Sequence, residues 1–252
     1  MDRIGEIKAN KQGTLMKIIR YKDSSDIDVE FLDKYHYVKE HTTYSNFKVG
    51  KIKNPYDKTL YGVGYVGVGN HKTKIKGQVT DVYLCWKNML ERCYDERLKE
   101  KYPAYNNIRS VCEEWHDYQV FSDWYKEHVY DVDERLHLDK DIKFPGNSVY
   151  SPKTCLLVPQ RINMIFTNKA NSRGLPNGIY HETSGYFAKY NTEELGVYQT
   201  IESAYDVYAK RKKEEIIKVA NEYKDIIPDE VYQALLNYEV LIENDKNYNP
   251  KN

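Results

Sequence analysis

The chain has no excess charge of either sign: 38 Lys and Arg balance 38 Asp and Glu in 252 residues. That balance gives no global case for a nucleic-acid partner and leaves only local excesses to argue one. Cysteine is sparse. Cys85, Cys93, Cys112 and Cys155 show no CxxC spacing, which argues against a disulfide framework and leaves each as a buried thiol in a reducing compartment. A structural Zn2+ held by these cysteines and a histidine is the lesser option. No apolar run approaches the ~20 residues of a membrane span. The start, MDRIGEIKANK, has no apolar core of a signal peptide. No membrane partner and a cytoplasmic location are therefore expected. The Gly-rich stretch Tyr61–Asn70 is followed by no Gly-Lys-Ser/Thr, so it is no phosphate loop and reads as a strand or linker.

The charges that are present are unevenly placed. Lys48 to Lys76 holds seven Lys against Asp57 alone, and Lys140 to Arg173 holds six Lys or Arg against Asp141 alone. From Glu214 to the end the balance reverses, with four Lys and nine acids. Two basic stretches ahead of an acidic one describe a polarised molecule. Tyrosine is abundant, at 25 residues.

Residues 1–70 alternate polar with apolar. Thr14–Tyr21 and Asp26–Phe31 read as half-buried strands, and Thr42–Val49 and Lys51–Pro55 as further short ones. The expectation is a small β module, an SH3-like barrel, with a second DNA or protein contact along the Lys48–Lys58 edge. From Thr80 the period becomes helical. Tyr83, Trp86, Met89, Leu90 and Cys93 form one stripe behind a Thr80 N-cap. A loop over Tyr94–Ser110 leads to a second helix over Glu113–His128, with Trp115, Tyr118, Phe121, Trp124 and Tyr125 facing the core.

Leu138–Ile142, the turn Pro145-Gly146-Asn147, Cys155–Val158 and a helix from Pro159 then run strand, loop, strand, helix. This segment resembles the HNH-type, ββα-metal segment of phage-borne homing endonucleases, the resemblance covering about 79–168. It implies that Asp139 and Asn163 hold Mg2+, that Asn147 fixes the loop, and that Lys143 and Arg161 hold phosphates. Lys140 stands where the family has its general-base histidine. An unperturbed lysine is protonated and takes no proton from water. His137, two residues before Asp139 on the same strand face, is the other candidate base.

After the linker Asn171–Gly174 come Gly178-Ile-Tyr, Gly185-Tyr-Phe-Ala-Lys-Tyr and Leu195-Gly-Val-Tyr-Gln-Thr-Ile-Glu-Ser-Ala. These motifs, over about 174–214, resemble the DNA-binding domain of plant ethylene-response factors. The resemblance implies a three-stranded antiparallel sheet on one helix, with an exposed sheet face entering the major groove. Positions assigned to that contact are Tyr180, His181, Tyr186, Lys189 and Arg173, with Lys169 at the approach. Thr200 should cap the helix, with Ile201, Ala204, Tyr205, Tyr208 and Ala209 covering the sheet. Helices continue over 215–242, one starting at Pro228. The tail from Glu243 reads as disordered.

The expectation is thus an α+β, multi-module, phage-type protein that binds double-stranded DNA and cuts it in a metal-dependent reaction. A DNA-binding regulator that has lost cleavage and a protein-interaction module are the alternatives.

Overall fold

A computed structural model describes residues 3–97, 110–167, 169 and 171–249. The chain is α+β and divides into two compact units. One is Met1–Leu90 with Glu113–Ser122, the other Glu91–Cys112 with Asp123–Asn252. Positions 98–109 of the expected loop lie outside the described residues.

In the first unit, β1 (Ile7–Ala9), β2 (Leu15–Asp23), β3 (Asp26–Phe31) and β4 (Val38–Thr42) form an antiparallel sheet in that order. The alternation in β3 does what its pattern requires: Ile27, Val29 and Phe31 are fully buried, with Met16 and Ile18 of β2 beside them. The sheet does not close into the expected barrel, because β1 and β4 remain edges. Thr42–Val49 is not a strand either. Thr43 accepts a 3.2 Å hydrogen bond from the Asn46 amide and starts α1 (Tyr44–Lys48), which seats Phe47 on the sheet. An N-cap here overrides the alternation that suggested a strand. Lys51–Pro55 forms no strand.

The Gly-rich stretch is a run of turns rather than a strand. Gly64 is required by close approach: a Cβ there would lie 2.4 Å from Leu90 and 3.2 Å from Trp86. A hairpin, β5 (Lys74–Ile75) and β6 (Gln78–Val79), precedes α2 (Asp81–Tyr94), whose first turn is capped by Thr80. The expected second helix is split. A 3-10 turn over Glu113–His116 stops where the Tyr65 backbone bonds His116 and Tyr118, and Asp117 starts α3 (Tyr118–His128) by accepting the Gln119 amide at 2.8 Å. Trp86, Trp115, Tyr118 and Phe121 are fully buried.

In the second unit, β7 (Ser110–Val111) pairs in parallel with β9 (Val149–Tyr150). Between them in sequence lies β8 (Leu136–Asp139), antiparallel to β10 (Leu156–Pro159), which runs directly into α4 (Gln160–Ile165). β11 (Ile179–Glu182), β12 (Gly185–Tyr190) and β13 (Glu193–Tyr198) form a three-stranded antiparallel sheet. It packs on α5 (Ile201–Glu222), which opens with a Thr200–Ser203 capping box. The first half of α5 buries Ala204, Tyr205 and Tyr208 against the sheet. Its second half buries Ile216, Val219 and Ala220 with Leu156, Val158 and Ile162, and with Val231 and Leu235 of α6 (Asp229–Asn237). One long helix therefore serves two cores. The Lys213 ammonium closes α6 by donating to the Leu236 and Tyr238 carbonyls at 2.7 and 2.6 Å.

The tail is ordered as far as it is described, contrary to the expected disorder. Asp245 is buried and accepts the Asn177 amide and side chain at 3.0 Å each, and the Asn247 amide at 2.9 Å. Replacing Asp245 by alanine removes the acceptor of all three bonds. The expected cost is about 2 kcal/mol, read as a shift of the denaturant midpoint; an unchanged midpoint would remove the tail from the fold's support.

Candidate functional site

The first candidate is the β8–loop–β10–α4 segment. His137 faces Val158 across the ladder and Asp139 faces Leu156, so the two side chains share one sheet face. Asp139 Oδ1 accepts the Asp141 and Ile142 amides at 2.8 and 2.7 Å, which turns the chain out of the strand. Among the described residues no hydrogen bond is made to Oδ2. Burial, then the Asp141 carboxylate, raise the Asp139 carboxyl to about 6 against the pull of those two amides. The Nε2 atom of His137 is buried without a hydrogen-bond partner. Burial and Arg135 hold its imidazole below the ordinary histidine value, with Gln160 opposing. The imidazole is therefore neutral near pH 7.

Asn147 ties the loop by donating to the Lys140 and Val149 carbonyls at 2.9 and 2.8 Å. Lys140 is 4% exposed, and its ammonium donates to Asp141 at 2.5 Å and to the Asn147 carbonyl. It closes the loop from inside, which is a different task from approaching a substrate. Asn163 lies half-buried on α4, and no hydrogen bond joins it to Asp139. Its amide oxygen and the free Asp139 oxygen are donors that suit a hard divalent cation. Lys143 is paired with Glu230, and Arg161 with Glu222 at 2.5 Å, so both expected phosphate contacts are engaged within the protein.

All four cysteines are free thiols. Among the described residues the single group of three metal-donor side chains that converges is Asp26, Asp28 and His41, so no cysteine belongs to a zinc-type cluster. Arg20 already bridges both of those aspartates.

Asp139 yields a pH prediction. Its folded value lies above its unfolded one, so the folded state holds the proton that the unfolded state has released between about pH 4 and 6. Stability contributed here falls as pH rises through that window. Asp139→Asn keeps the oxygen that accepts both amides and removes the charge. It should stabilise the protein at pH 7 by on the order of 1–3 kcal/mol and flatten its pH dependence, measured by urea unfolding in chelator at pH 4.5 and 7. Loss of stability at pH 7 would contradict this.

The second candidate is the β11–β13 sheet. Ladder pairing sets Tyr180, Phe187 and Val197 in one row across all three strands. They point away from α5, because the alternate residues Ile179, Ala188 and Tyr190 are the buried ones. Arg173 lies over the Tyr180 ring at 4.4 Å, and Tyr180 and Phe187 sit 6.3 Å apart. Lys189 is on the same face, opposite Glu194 past a bulge, and Glu182 is at its corner. Tyr186 and His181, expected on this face, have the opposite phase. Tyr186 packs with the helix-side cluster, and His181 lies against it at 5.1 Å. Phe187 and Val197 take their place. Counting by two from the buried Ala188 puts Tyr186 and Tyr190 on the helix side and leaves Phe187 outside.

Beside the sheet edge is an open cavity of about 450 Å³ lined by Thr167, Lys169, Asn177, Gly178, Tyr180, Lys189, Tyr190, Asn191, Tyr208 and Met164. Among the described residues, Arg173, Lys169 and Lys189 pair with no carboxylate, in contrast to Lys143, Arg161 and Arg211.

No protein-family model, curated protein or solved structure matches this chain.

Proposed function

We propose that the protein binds double-stranded DNA through the outer face of the β11–β13 sheet. The observation that carries this is the row Tyr180, Phe187 and Val197 flanked by Arg173 and Lys189, cations with no carboxylate partner among the described residues. A three-stranded sheet is narrow enough for the major groove, its cations can meet phosphates, and its apolar row can contact base edges. Glu182 and Glu194 border the same face and limit the affinity. They would equally suit a protein partner, and salt separates the two readings. Duplex affinity, measured by fluorescence anisotropy, should fall with log salt at a slope near 2 for two phosphate contacts. Absence of binding at low salt would reject the DNA reading.

A second reading adds strand cleavage at the β8–α4 segment, and the orphaned His137 Nε2 beside Asp139 favours it. Asp139 and Asn163 would hold a Mg2+ ion, which supplies positive charge at the scissile phosphate. His137, neutral near pH 7, would take the proton from the attacking water. Lys140 has no part in this, because its ammonium is bound inside the loop. Supercoiled DNA incubated with Mg2+ tests it. Nicking should be lost by about 100-fold or more in His137→Ala, whereas intact plasmid with the wild-type protein would leave a binder alone.

A further inference from the structure

We propose that the cavity beside the sheet edge is a nucleotide slot: it takes a nucleoside 5′-phosphate, as the unpaired end of a DNA strand. This rests on the DNA reading above and gives it a preferred form of substrate.

Three observations point to that ligand. The lining residues include two lysines and no acid, and neither ammonium has a carboxylate partner among the described residues. The lining is therefore cationic in a neutral chain, which selects an anion. Its lining includes three tyrosines: Tyr180, whose ring is 37% exposed, in front of the largely buried Tyr190 and Tyr208, and an exposed phenol ring takes the π-face of any base. The slot is shaped by backbone that cannot change: Gly178 has φ +81°, and a Cβ there would stand 2.3 Å from the Tyr208 ring. Thr167 and Asn191 add exposed polar side chains to the lining. Lys189 belongs to both the slot and the sheet face, so a strand end entering the slot continues from a duplex on the sheet. A phosphate alone would use the lysines and leave the rings idle, and a neutral aromatic would leave the ammonium groups idle.

The test compares three labelled DNAs by anisotropy: a blunt duplex, the same duplex with a 5′-phosphorylated single-stranded overhang, and that overhang without its phosphate. Calorimetry with thymidine 5′-monophosphate forms a separate arm. The phosphorylated overhang should bind at least about fivefold tighter than the blunt duplex. Thr167→Glu, which sets a carboxylate at an exposed position of the lining, should abolish that preference and the mononucleotide binding while blunt binding stays. Equal binding of all three DNAs would overturn the slot and leave the sheet reading standing. A preference that survives in Thr167→Glu would also overturn it. If no DNA binds, the sheet reading fails, and the mononucleotide arm still decides the slot: no heat sinks it.

Discussion

Replacing Arg173 and Lys189 together by alanine should weaken duplex binding by about 10- to 100-fold at low salt and flatten the salt dependence by roughly two contacts. Among the described residues neither cation pairs with a carboxylate, unlike Lys143 and Arg161, whose charges are spent on Glu230 and Glu222. The same reasoning makes Lys143→Ala a control with little effect on affinity. Phe187→Ala, which removes the middle of the apolar row, should lower affinity with the salt slope unchanged, since no charge is lost. If Lys143→Ala is the more damaging change, the contact lies on the ββα segment and the sheet has been misassigned.

Gly178→Ala should destabilise the second unit by about 3 kcal/mol or more. Three costs fall at one position. The backbone is left-handed at φ +81°, the new methyl would meet the Tyr208 ring at 2.3 Å, and the Lys189 carbonyl lies at 2.7 Å. That carbonyl belongs to β12, whose Lys189 amide already donates to the Gly178 carbonyl at 2.8 Å, so neither wall can retreat without opening the sheet. Tyr208 is one of the rings that joins α5 to the sheet. Thermal unfolding followed with hydrogen exchange over residues 179–208 checks this: faster exchange there is expected, and an unaltered melting temperature would show that the sheet and helix are docked more loosely than the distances indicate.

Elements with strong local signals were legible in the sequence. Thr80 and Thr200 cap helices as their positions suggested, and strand, loop, strand and helix follow one another from Leu136 to Ile165. Asn147 bridges its own loop, as a short amide in a tight turn does. What was not legible depended on partners far along the chain. Thr43 ends the alternation of the first sheet by capping a helix, so the barrel never closes. The break between Glu113 and Tyr118 is made by the backbone of Tyr65. Lys140 was expected at the position of the base, yet the carbonyl of Asn147, seven residues away, draws its ammonium inside. Tyr180 and Lys189 lie on the sheet face as expected, whereas His181 and Tyr186 were read one residue out of phase, a shift that reverses a side chain on a strand; the aromatics at both Tyr186 and Phe187 hid which of them was buried. Asp245, in a polar tail, gains its burial from Asn177, 68 residues earlier.

The most direct test of the central claim is chemical-shift mapping of the labelled protein with a short duplex at low salt. The amides of residues 179–182, 185–190 and 194–198 should shift together as DNA is added, with the Phe187 and Tyr180 ring signals moving most. Saturable binding that shifts the β8–α4 segment or the first unit and leaves those strands unmoved would contradict the assignment of the sheet as the DNA-binding face.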